Sequence, residues 1–293
     1  MKYGFIQKQS SKYSVAKLCR FLEVTRSGYY AWLQRSARHK NSVQEAELLG
    51  RIREAYNASH RTAGYRKIYA ALKRKGVQCS EDTVKKLMRK HGIKARTVRK
   101  YKPKMTKADA SARAYPNVLN QNFTVKAKGK VWVADITYIR VGFKWTYLAV
   151  VLDLYNREPV GWAYGSSPDA ALAVKALEMA ICREQPRAGL IHHSDRGCQY
   201  TSNAYRELLQ KNHIQGSMSR KGNPYDNAVM ESFFRSLKTE WTNHETYKTV
   251  QNAYKSLYAY IEVFYKYQRL HAALGYMSPK SFEKLRQNRL LAI

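Results

Sequence analysis

The feature that most limits the fold is a change of hydrophobic pattern near residue 130. Two segments rich in β-branched and aromatic residues, 131–140 (VWVADITYIR) and 145–155 (WTYLAVVLDLY), are followed by a third at 157–165 after a turn at Asn156. Such runs are typical of strands, and their close spacing predicts three antiparallel neighbours.

Helical and strand patterns alternate beyond this point. The sequence predicts a helix over 169–183, a short buried strand over 189–194, a helix over 201–212, a strand over 214–218 and, after a Gly/Asn/Pro loop at 220–226, a helix over 227–240. Because parallel neighbours need helical crossovers, we expect an α/β unit with a mixed five-stranded sheet covered on both faces.

The chain before residue 94 has a helical pattern instead. Helices are predicted over about 44–57, 64–75 and 81–91, the last with Ser80 as its N-cap. One side of this last helix is apolar, and the basic residues that cover the rest are Lys85, Lys86, Arg89 and Lys90. We expect that basic surface to bind DNA, with a merely solvated helix as the alternative.

Two further N-terminal segments are less sharply defined. Residues 14–35 contain two apolar helical stretches with a break around Val24 and Thr25, which fits a helix-turn-helix or a plain helical hairpin. Residues 94–114 are basic, poor in apolar residues and interrupted by Pro103, so they predict a linker that orders on nucleic acid.

The charge of the chain indicates the kind of partner. Its 293 residues contain 53 Lys/Arg and 21 Asp/Glu, a net charge of +32. Residues 1–115 carry 29 basic and 7 acidic side chains, a net of +22, whereas residues 116–293 carry 24 and 14, a net of +10. An excess of this size favours nucleic acid as the partner and assigns most of the phosphate binding to the N-terminal part.

Other broad classes are not indicated. The four scattered cysteines form no CxxC pair, so neither a zinc ribbon nor a disulfide framework is predicted. No apolar run has the length of a membrane span, and the N-terminus lacks the apolar stretch of a signal peptide. We expect a cytoplasmic protein with no membrane partner.

Three acidic residues lie where chemistry is expected. Asp135 interrupts a mostly apolar strand face, Asp195 directly follows strand 189–194, and Glu231 is one turn into a helix with 35 residues between it and Asp195. If the two strands are neighbours, the aspartates converge and the helix brings Glu231 to the same point. Unrelated surface acids are the alternative when only these letters are considered.

A cluster of three carboxylates requires protons or cations at neutral pH. Oxygen ligands with open positions suit Mg²⁺ or Mn²⁺, and two such ions can bind the attacking and the leaving oxygen of a phosphodiester. The spacing is therefore compatible with a two-metal site formed by Asp135, Asp195 and Glu231, but the three letters alone favour unrelated surface acids.

Longer motifs around these acids strengthen that interpretation. The segments WVADITYI (132–139), HHSDRGCQYTS (192–202) and SMSRKGNPYDNAVMESFFRSLKTE (217–240) resemble the integrase-type catalytic core of bacterial insertion-sequence transposases of the IS3 family. RTAGYRKIYAALKRKG (61–76) resembles the helical DNA-binding segment of that family, and YIEVFYKYQRLHAALGYMSPKSF (260–282) resembles its closing helix and tail.

The resemblance implies an RNase H-like core with Asp135, Asp195 and Glu231 as catalytic, metal-binding residues. It implies that water frees a 3′-hydroxyl at an element end and that this hydroxyl attacks a second phosphodiester, often through a circular intermediate. Patterns and resemblance together divide the chain into an N-terminal helical hairpin or helix-turn-helix (1–40), a helical DNA-binding domain (41–94), a basic linker (95–125), the integrase-like core (126–243) and a C-terminal helix and tail (244–293).

Further DNA contacts are predicted beside the triad. Asn227, Glu231, Arg235 and Lys238 share one helix face by their spacing, and Arg220 and Lys221 lie in the preceding loop. We expect Asn227, Arg235, Lys238, Arg220 and Lys221 to contact DNA, while a solvated side chain is an equal alternative for Lys238.

The sequence departs from the family pattern at two positions. Cys198 stands where serine is usual, and Lys266 where asparagine is common. The family usually joins this second-frame product to an upstream product by a frameshift, and the present chain has no sustained heptad repeat. We therefore expect an upstream-frame subunit or a frameshift fusion as a partner, and a homo-oligomer on DNA.

Three functions are compatible with these features. The first is a transposase that cleaves and joins DNA. The second is a regulatory protein that binds element ends without catalysis, and the third is an RNase H-like nuclease that cuts without joining. The intact triad argues against the second, and the basic helical arm favours the first over the third.

Overall fold

A computed structural model of the protein describes residues 2–96 and 114–291. The chain divides into two compact units, Met1–Lys94 and Ala95–Ile293. Within the described ranges, no helix combines the length and the apolar character needed to cross a membrane.

The first unit is entirely helical. Its elements are α1 (Lys2–Gln9), α2 (Val15–Phe21), α3 (Arg26–Ala58), α4 (Tyr65–Arg74) and α5 (Glu81–Lys90). The helices expected near residues 29–33 and over 44–57 are one continuous helix, so the predicted separation is wrong. Residues 36–43 (SARHKNSV) interrupt the apolar periodicity, but they contain neither glycine nor proline to end a helix.

Two small cores stabilise this unit. Helices α1 and α2 and the start of α3 bury Ile6, Leu18, Cys19 and Tyr29. The end of α3 packs with α4 and α5 through the buried side chains Ile52, Ala55, Ala63, Ile68, Leu72, Val84, Leu87 and Met88. The predicted cap of α5 is confirmed, because Ser80 Oγ accepts a hydrogen bond of 3.1 Å from the Thr83 N–H.

The second unit contains the predicted five-stranded mixed sheet. Its strands are β1 (Val131–Val141), β2 (Lys144–Asp153), β3 (Pro159–Gly165), β4 (Ile191–Ser194) and β5 (Gln215–Met218). The spatial order is β3-β2-β1-β4-β5. The first three strands are antiparallel, while β4 runs parallel to both β1 and β5.

Helices cover both faces of the sheet. One face packs on α6 (Ala170–Glu184), α7 (Cys198–Thr201) and α8 (Asn203–Lys211). The opposite face packs on α9 (Ala228–Glu240), α10 (Val250–Tyr258) and the π-helical segment Ala259–Gln268. A last helix, α11 (Pro279–Leu291), follows. This order of strands and helices is that of the RNase H-like fold predicted from the sequence.

The connection between the units is described in part. Residues 97–113, which contain most of the predicted linker, lie outside the described residues. Residues 114–125, also predicted as linker, pack on the second unit: the Val118 N–H donates to Ser217 Oγ at 3.0 Å, and Phe123 and Val125 contact the core.

Candidate active site

The site is formed where two parallel strands diverge. The pairing of β1 with β4 covers only Val131–Val133, matched to Ile191–His193. Asp135 lies two residues beyond the last pair, and Asp195 directly follows Ser194, the last residue of β4. Both aspartates therefore occupy the fork that opens between the strands, at the carboxyl end of β4.

Asp135 lies deepest in this fork. Its Oδ1 accepts a hydrogen bond of 2.8 Å from the Ile136 N–H. Burial raises the pKa of Asp135 well above its ordinary value, and the negative charges of Asp195 and Glu231 raise it further, against the opposing effects of that N–H and of Lys238. The two other acids are thus close enough to act on Asp135.

Asp195 is fixed by the turn that follows β4. Its Oδ1 accepts a hydrogen bond of 2.9 Å from the Gly197 N–H. A Cβ at position 197 would lie 3.0 Å from that same oxygen and 2.5 Å from Gln199 Oε1, so glycine permits the close approach. Burial raises the pKa of Asp195, and the hydrogen bond from Gly197 opposes this effect.

Glu231 projects from the first turn of α9 and is exposed. The start of its helix is attached to the fork, because Asn227 Nδ2 donates to the Ala134 carbonyl at 3.1 Å. The bond joins the residue before α9 to the residue before Asp135. Asn227, predicted to contact DNA, is itself buried, and this bond gives it a structural role.

The three carboxylates offer only oxygen ligands, which is the donor set preferred by Mg²⁺ and Mn²⁺. Burial, and after it the negative charges of Asp195 and Glu231, raise the pKa of Asp135, and a bound cation would offset those charges. In residues 2–96 and 114–291, no three His, Cys, Asp or Glu side chains lie close enough together to hold an ion without rearrangement.

Lys238 is a basic residue close enough to the site to act on Asp135. Its Nζ lies 3.4 Å from the centroid of the Tyr138 ring, a cation–π contact, and its charge lowers the pKa of Asp135. Tyr138 in turn packs edge-on against Trp145 with their centroids 5.0 Å apart. Arg235 and Lys221, also predicted to contact DNA, are exposed.

Asp226 fixes the loop before α9. The buried carboxylate accepts hydrogen bonds of 2.8–3.0 Å from the N–H, Nε and Nη2 of Arg220, and others of 2.9 and 2.8 Å from Asn117 and Gln121. Its ion pair with Arg220 holds the pKa of Asp226 far below its ordinary value. Arg220 is therefore engaged within the protein, although its side chain remains 51% exposed.

Two buried histidines connect β4 to its surroundings. His193 lies 2.9 Å from Ser217 Oγ and 3.2 Å from Ser219 Oγ, and His192 lies 3.1 Å from the Tyr205 hydroxyl. Burial lowers the pKa of His192 to about 3 and that of His193 to about 4. Both are neutral at pH 7 and support the strand structurally.

The predicted DNA-contact residues of α5 differ in their surroundings. Lys86 pairs with Asp82 at 2.7 Å, and Lys90 pairs with Glu45. Lys85 lies over the Tyr65 ring at 5.7 Å, and Arg89 is exposed. All four project from the solvent side of α5, opposite its buried stripe.

Some residues of the site escape sequence reasoning. Tyr200 is buried beside the aspartates, where burial and then the charges of Asp135 and Asp195 raise the pKa of its phenol. Tyr138 contacts Lys238, but in the sequence it is indistinguishable from a tyrosine that only packs in a strand. Only the adjacency of Tyr200 to the HHSDRGCQY motif is a signal visible in the sequence.

Comparison with known protein families gives three matches. The family described as Integrase core domain matches residues 125–224, and a second family with the same description matches residues 212–279. A family described as HTH-like domain matches residues 44–101.

Individual proteins resemble nearly the whole chain. The Insertion element IS600 uncharacterized 31 kDa protein of Shigella sonnei is 38% identical over 267 residues, which is 91% of this chain and 97% of that protein. Transposase InsF for insertion sequence IS3A of Escherichia coli (strain K12) is 36% identical over 284 residues, 97% of this chain and 98% of that protein.

Among solved structures, the HTLV-2 integrase catalytic core domain in complex with magnesium, in its dimeric form, matches with a TM-score of 0.39 and 16% identity. The match covers 49% of this chain and 90% of that chain.

Proposed function

The chain belongs to the IS3 family of transposases, and from that membership we propose that Asp135, Asp195 and Glu231 are the carboxylates with which it cuts and joins DNA. The family acts in DNA transposition and integration, which makes the protein a DNA-binding polynucleotidyl transferase. Family membership does not by itself identify the three residues or their metal ions, and we propose both.

One observation carries the assignment. At the fork between β1 and β4, burial raises the pKa of Asp135 most, and the negative charges of Asp195 and Glu231, separated by 35 residues in the sequence, raise it further. Keeping like charges this close costs stability, and such a cost is typical of a functional site. Asp226, a buried acid of the same unit, is instead paired with a cation, Arg220.

We assign Asp135, Asp195 and Glu231 as the residues that hold Mg²⁺ or Mn²⁺, two ions per site. When bound, the ions supply positive charge to the attacking and leaving oxygens of the phosphodiester. Because no three such side chains of the described residues are grouped to hold an ion, the assignment requires at least one carboxylate to reorient, and the exposed Glu231 side chain is free to do so. No covalent enzyme intermediate is needed.

The surrounding side chains position the DNA. Lys238, held against Tyr138, is suited to bind a phosphate beside the aspartates, and the exposed Arg235 and Lys221 extend this basic surface along α9 and its preceding loop. In the first unit, Lys85 and Arg89 are the preferred candidates on α5, since Lys86 and Lys90 have acidic partners. Asn227 is buried, and its bond to Ala134 gives it the role of supporting the start of α9.

The working assembly contains more than one chain in this proposal. An upstream-frame subunit, or its fusion to this chain, would supply the dimerising coiled coil that the sequence lacks, and two copies are needed to hold two element ends. Because the carboxylates of the proposed site all come from one chain, the additional subunits serve to bring DNA ends together.

The test uses labelled element-end DNA, Mg²⁺ or Mn²⁺ and the purified protein with its upstream partner. Asp135→Asn, Asp195→Asn and Glu231→Gln should each abolish cleavage and joining, because each removes an ion ligand, while DNA binding stays within about twofold of wild type. Mn²⁺ binding to the protein without DNA, measured by electron paramagnetic resonance, should weaken in all three.

Glu207→Gln is the matched control. Glu207 is an exposed acid on α8, so its replacement removes the same charge elsewhere in the unit and should leave joining intact. Wild-type joining by any one of the three site variants would refute the assignment. Loss of joining in Glu207→Gln as well would show that general charge, not the site, is responsible.

A further inference from the structure

The connection between α2 and α3 has a defined geometry. Helix α2 ends in a Schellman motif, in which the Val24 N–H donates to the Cys19 carbonyl at 3.0 Å and the Glu23 N–H to the Arg20 carbonyl at 3.2 Å. Glu23 adopts a left-handed conformation with φ of 53°. Thr25 then caps α3 by accepting a bond of 3.1 Å from the Gly28 N–H.

The same construction occurs in the segment that matches the HTH-like family. Helix α4 also ends in a Schellman motif, with the Val77 N–H bonded to the Leu72 carbonyl and Gly76 in the left-handed conformation, and Ser80 caps α5. Six residues, 75–80, separate those helices, but only four, 22–25, separate α2 from α3. A turn of three or four residues is typical of a helix-turn-helix.

A third helix stabilises the pair. Tyr3 of α1 lies 5.8 Å from Trp32 and 6.3 Å from Tyr29, ring centroid to ring centroid. A Cβ at Gly28 would lie 2.5 Å from the Tyr3 hydroxyl, so this glycine lets α1 approach the first turn of α3. Ile6 completes the buried cluster. Residues 2–33 therefore form a three-helix arrangement with its own core.

The first turns of α3 present a polar outer face. Tyr29, Trp32 and Leu33 pack inward. The exposed side chains on the other side are Arg26, Ser27, Tyr30, Ala31 and Gln34. Arginine and glutamine are the residue types that pair with guanine and adenine edges in the major groove, and alanine can contact a thymine methyl group.

The positive charge of residues 2–35 indicates a negatively charged partner. Residues 2–35 contain seven Lys/Arg and a single acid, Glu23. No acid lies between residues 26 and 35, whereas α5 begins with Glu81 and Asp82. The outer face of α3 can therefore approach a duplex without repulsion from its own carboxylates.

We propose that residues 2–35 are a second DNA-binding site, a helix-turn-helix whose α3 reads element-end duplex in the major groove through Arg26 and Gln34. The HTH-like family match begins only at residue 44, so it does not include this site. The proposal rests on the assignment of the chain as a transposase. Its test, however, measures the preference for element-end DNA over other DNA and does not measure joining.

The test compares binding of the full chain to two fluorescein-labelled duplexes of equal length, one with the element-end sequence and one scrambled, by anisotropy at constant salt. Arg26→Lys keeps the charge but loses bidentate pairing. Arg26→Lys and Gln34→Ala should each weaken end-duplex binding roughly tenfold, the loss of one base contact, and leave scrambled-duplex binding nearly unchanged. Both side chains are exposed, so circular dichroism should show an unaltered fold.

Lys8→Ala is the control, since it removes one charge from α1 without touching the α3 face. It should weaken binding to both duplexes by the same factor. An unchanged ratio of end to scrambled affinity in Arg26→Lys and Gln34→Ala would overturn the proposal. Asp195→Asn should retain the wild-type ratio of end to scrambled affinity. The selectivity of binding is thus measured independently of joining, and the two assignments can fail separately.

Discussion

At the scale of single residues, one buried cation of the second unit is held by acidic partners. Lys266, which stands where the family commonly has asparagine, is only 8% exposed and pairs with Glu262 at 2.7 Å and with Glu158 at 3.7 Å. Glu262 also accepts hydrogen bonds from Trp162 and Arg183, each at 2.7 Å. The departure from the family pattern is compensated locally, because the additional cation has two nearby acids.

His192 provides a stability prediction at this scale. Its pKa is lowered to about 3 by burial, with a smaller effect of His193, whereas an unfolded histidine titrates near 6.5. Below about pH 6.5 the unfolded chain binds a proton that the folded chain excludes. The neutral His192 therefore costs the folded state no stability above that pH. As the pH falls from 6.5 toward 3, the free energy of unfolding decreases by up to about 1.4 kcal/mol per pH unit.

Urea unfolding at pH 7.5, 6.5 and 5.5 should show this slope in wild type and a shallower one in His192→Asn. His213 is exposed and has φ of 53°, which asparagine tolerates, so His213→Asn is a suitable control and should keep the wild-type slope. Equal slopes in wild type and His192→Asn would contradict the assignment of a buried neutral imidazole.

Sequence patterns identify residues when a local rule is broken. Asp135 is conspicuous because an acid on an apolar strand face needs compensation. Asp226 does not stand out in the sequence. Its partners Arg220, Asn117 and Gln121 are brought to it by the folding of the loop and of residues 117–121. Asn227 fits a helix-face pattern with Glu231, but the pattern does not reveal that it lies beneath the surface.

At the scale of elements, α9 is anchored at both ends. Asn227 attaches its start to β1, and Arg269 attaches its end, with Nε and Nη2 bonded to the two oxygens of Glu240 at 2.6 and 2.8 Å and Nη2 bonded to Ser236 Oγ at 2.8 Å. The side chains of Arg269 and Glu240 are each 10% exposed. The segment after the π-helix thus holds the helix that bears Glu231.

Arg269→Ala should destabilise the second unit by about 3–5 kcal/mol, since it leaves the Glu240 carboxylate buried without its cation. Arg269→Lys should restore only part of this loss, because an ammonium cannot reproduce the two parallel bonds of the guanidinium. Thermal melts give the order of stability, and hydrogen exchange should rise first in α9 and α10.

Arg286→Ala is a matched control, because Arg286 is exposed on α11 and its contact is with the Phe282 ring. It should melt close to wild type. If Arg269→Lys proved as stable as wild type, the two parallel hydrogen bonds between Arg269 and Glu240 would not be the interaction that holds the end of α9.

Element prediction succeeds where periodicity is strong. The strands and α6 follow from their apolar patterns to within a few residues. The predicted helix over 201–212 is α8, which begins two residues later than predicted, because Ser202 adopts an extended conformation after the short helix α7 and caps α8. The π-helical segment Ala259–Gln268 has no sequence signature, since its widened turns arise from packing of Tyr260, Phe264 and Tyr265 on the sheet.

At the scale of the whole molecule, the excess of +32 charges predicts strongly salt-dependent DNA binding. Each phosphate contact releases counterions, so affinity should fall roughly a thousandfold between 50 and 200 mM salt if about six phosphates are bound. Arg89→Ala should reduce the slope of log affinity against log salt by about 1.

Binding isotherms at four salt concentrations measure that slope. Glu54→Gln changes an acidic side chain of the same unit and should not decrease it. A flat salt response of the wild-type protein would contradict the basic N-terminal unit as the main phosphate-binding surface. The size of the charge excess is available from composition alone, but its distribution over particular helix faces requires the fold.

The early divergence of β1 and β4 also bears on the solubility of the protein. Among residues 2–96 and 114–291, the side of β1 that faces β4 has no strand pairing beyond Val133 until a bridge between Val141 and Tyr247. An unprotected strand edge is a template for intermolecular β-sheet growth. Asn227, at the start of α9, donates to the Ala134 carbonyl on that edge, so the residue that holds the helix of Glu231 also occupies one acceptor that a second strand could otherwise use.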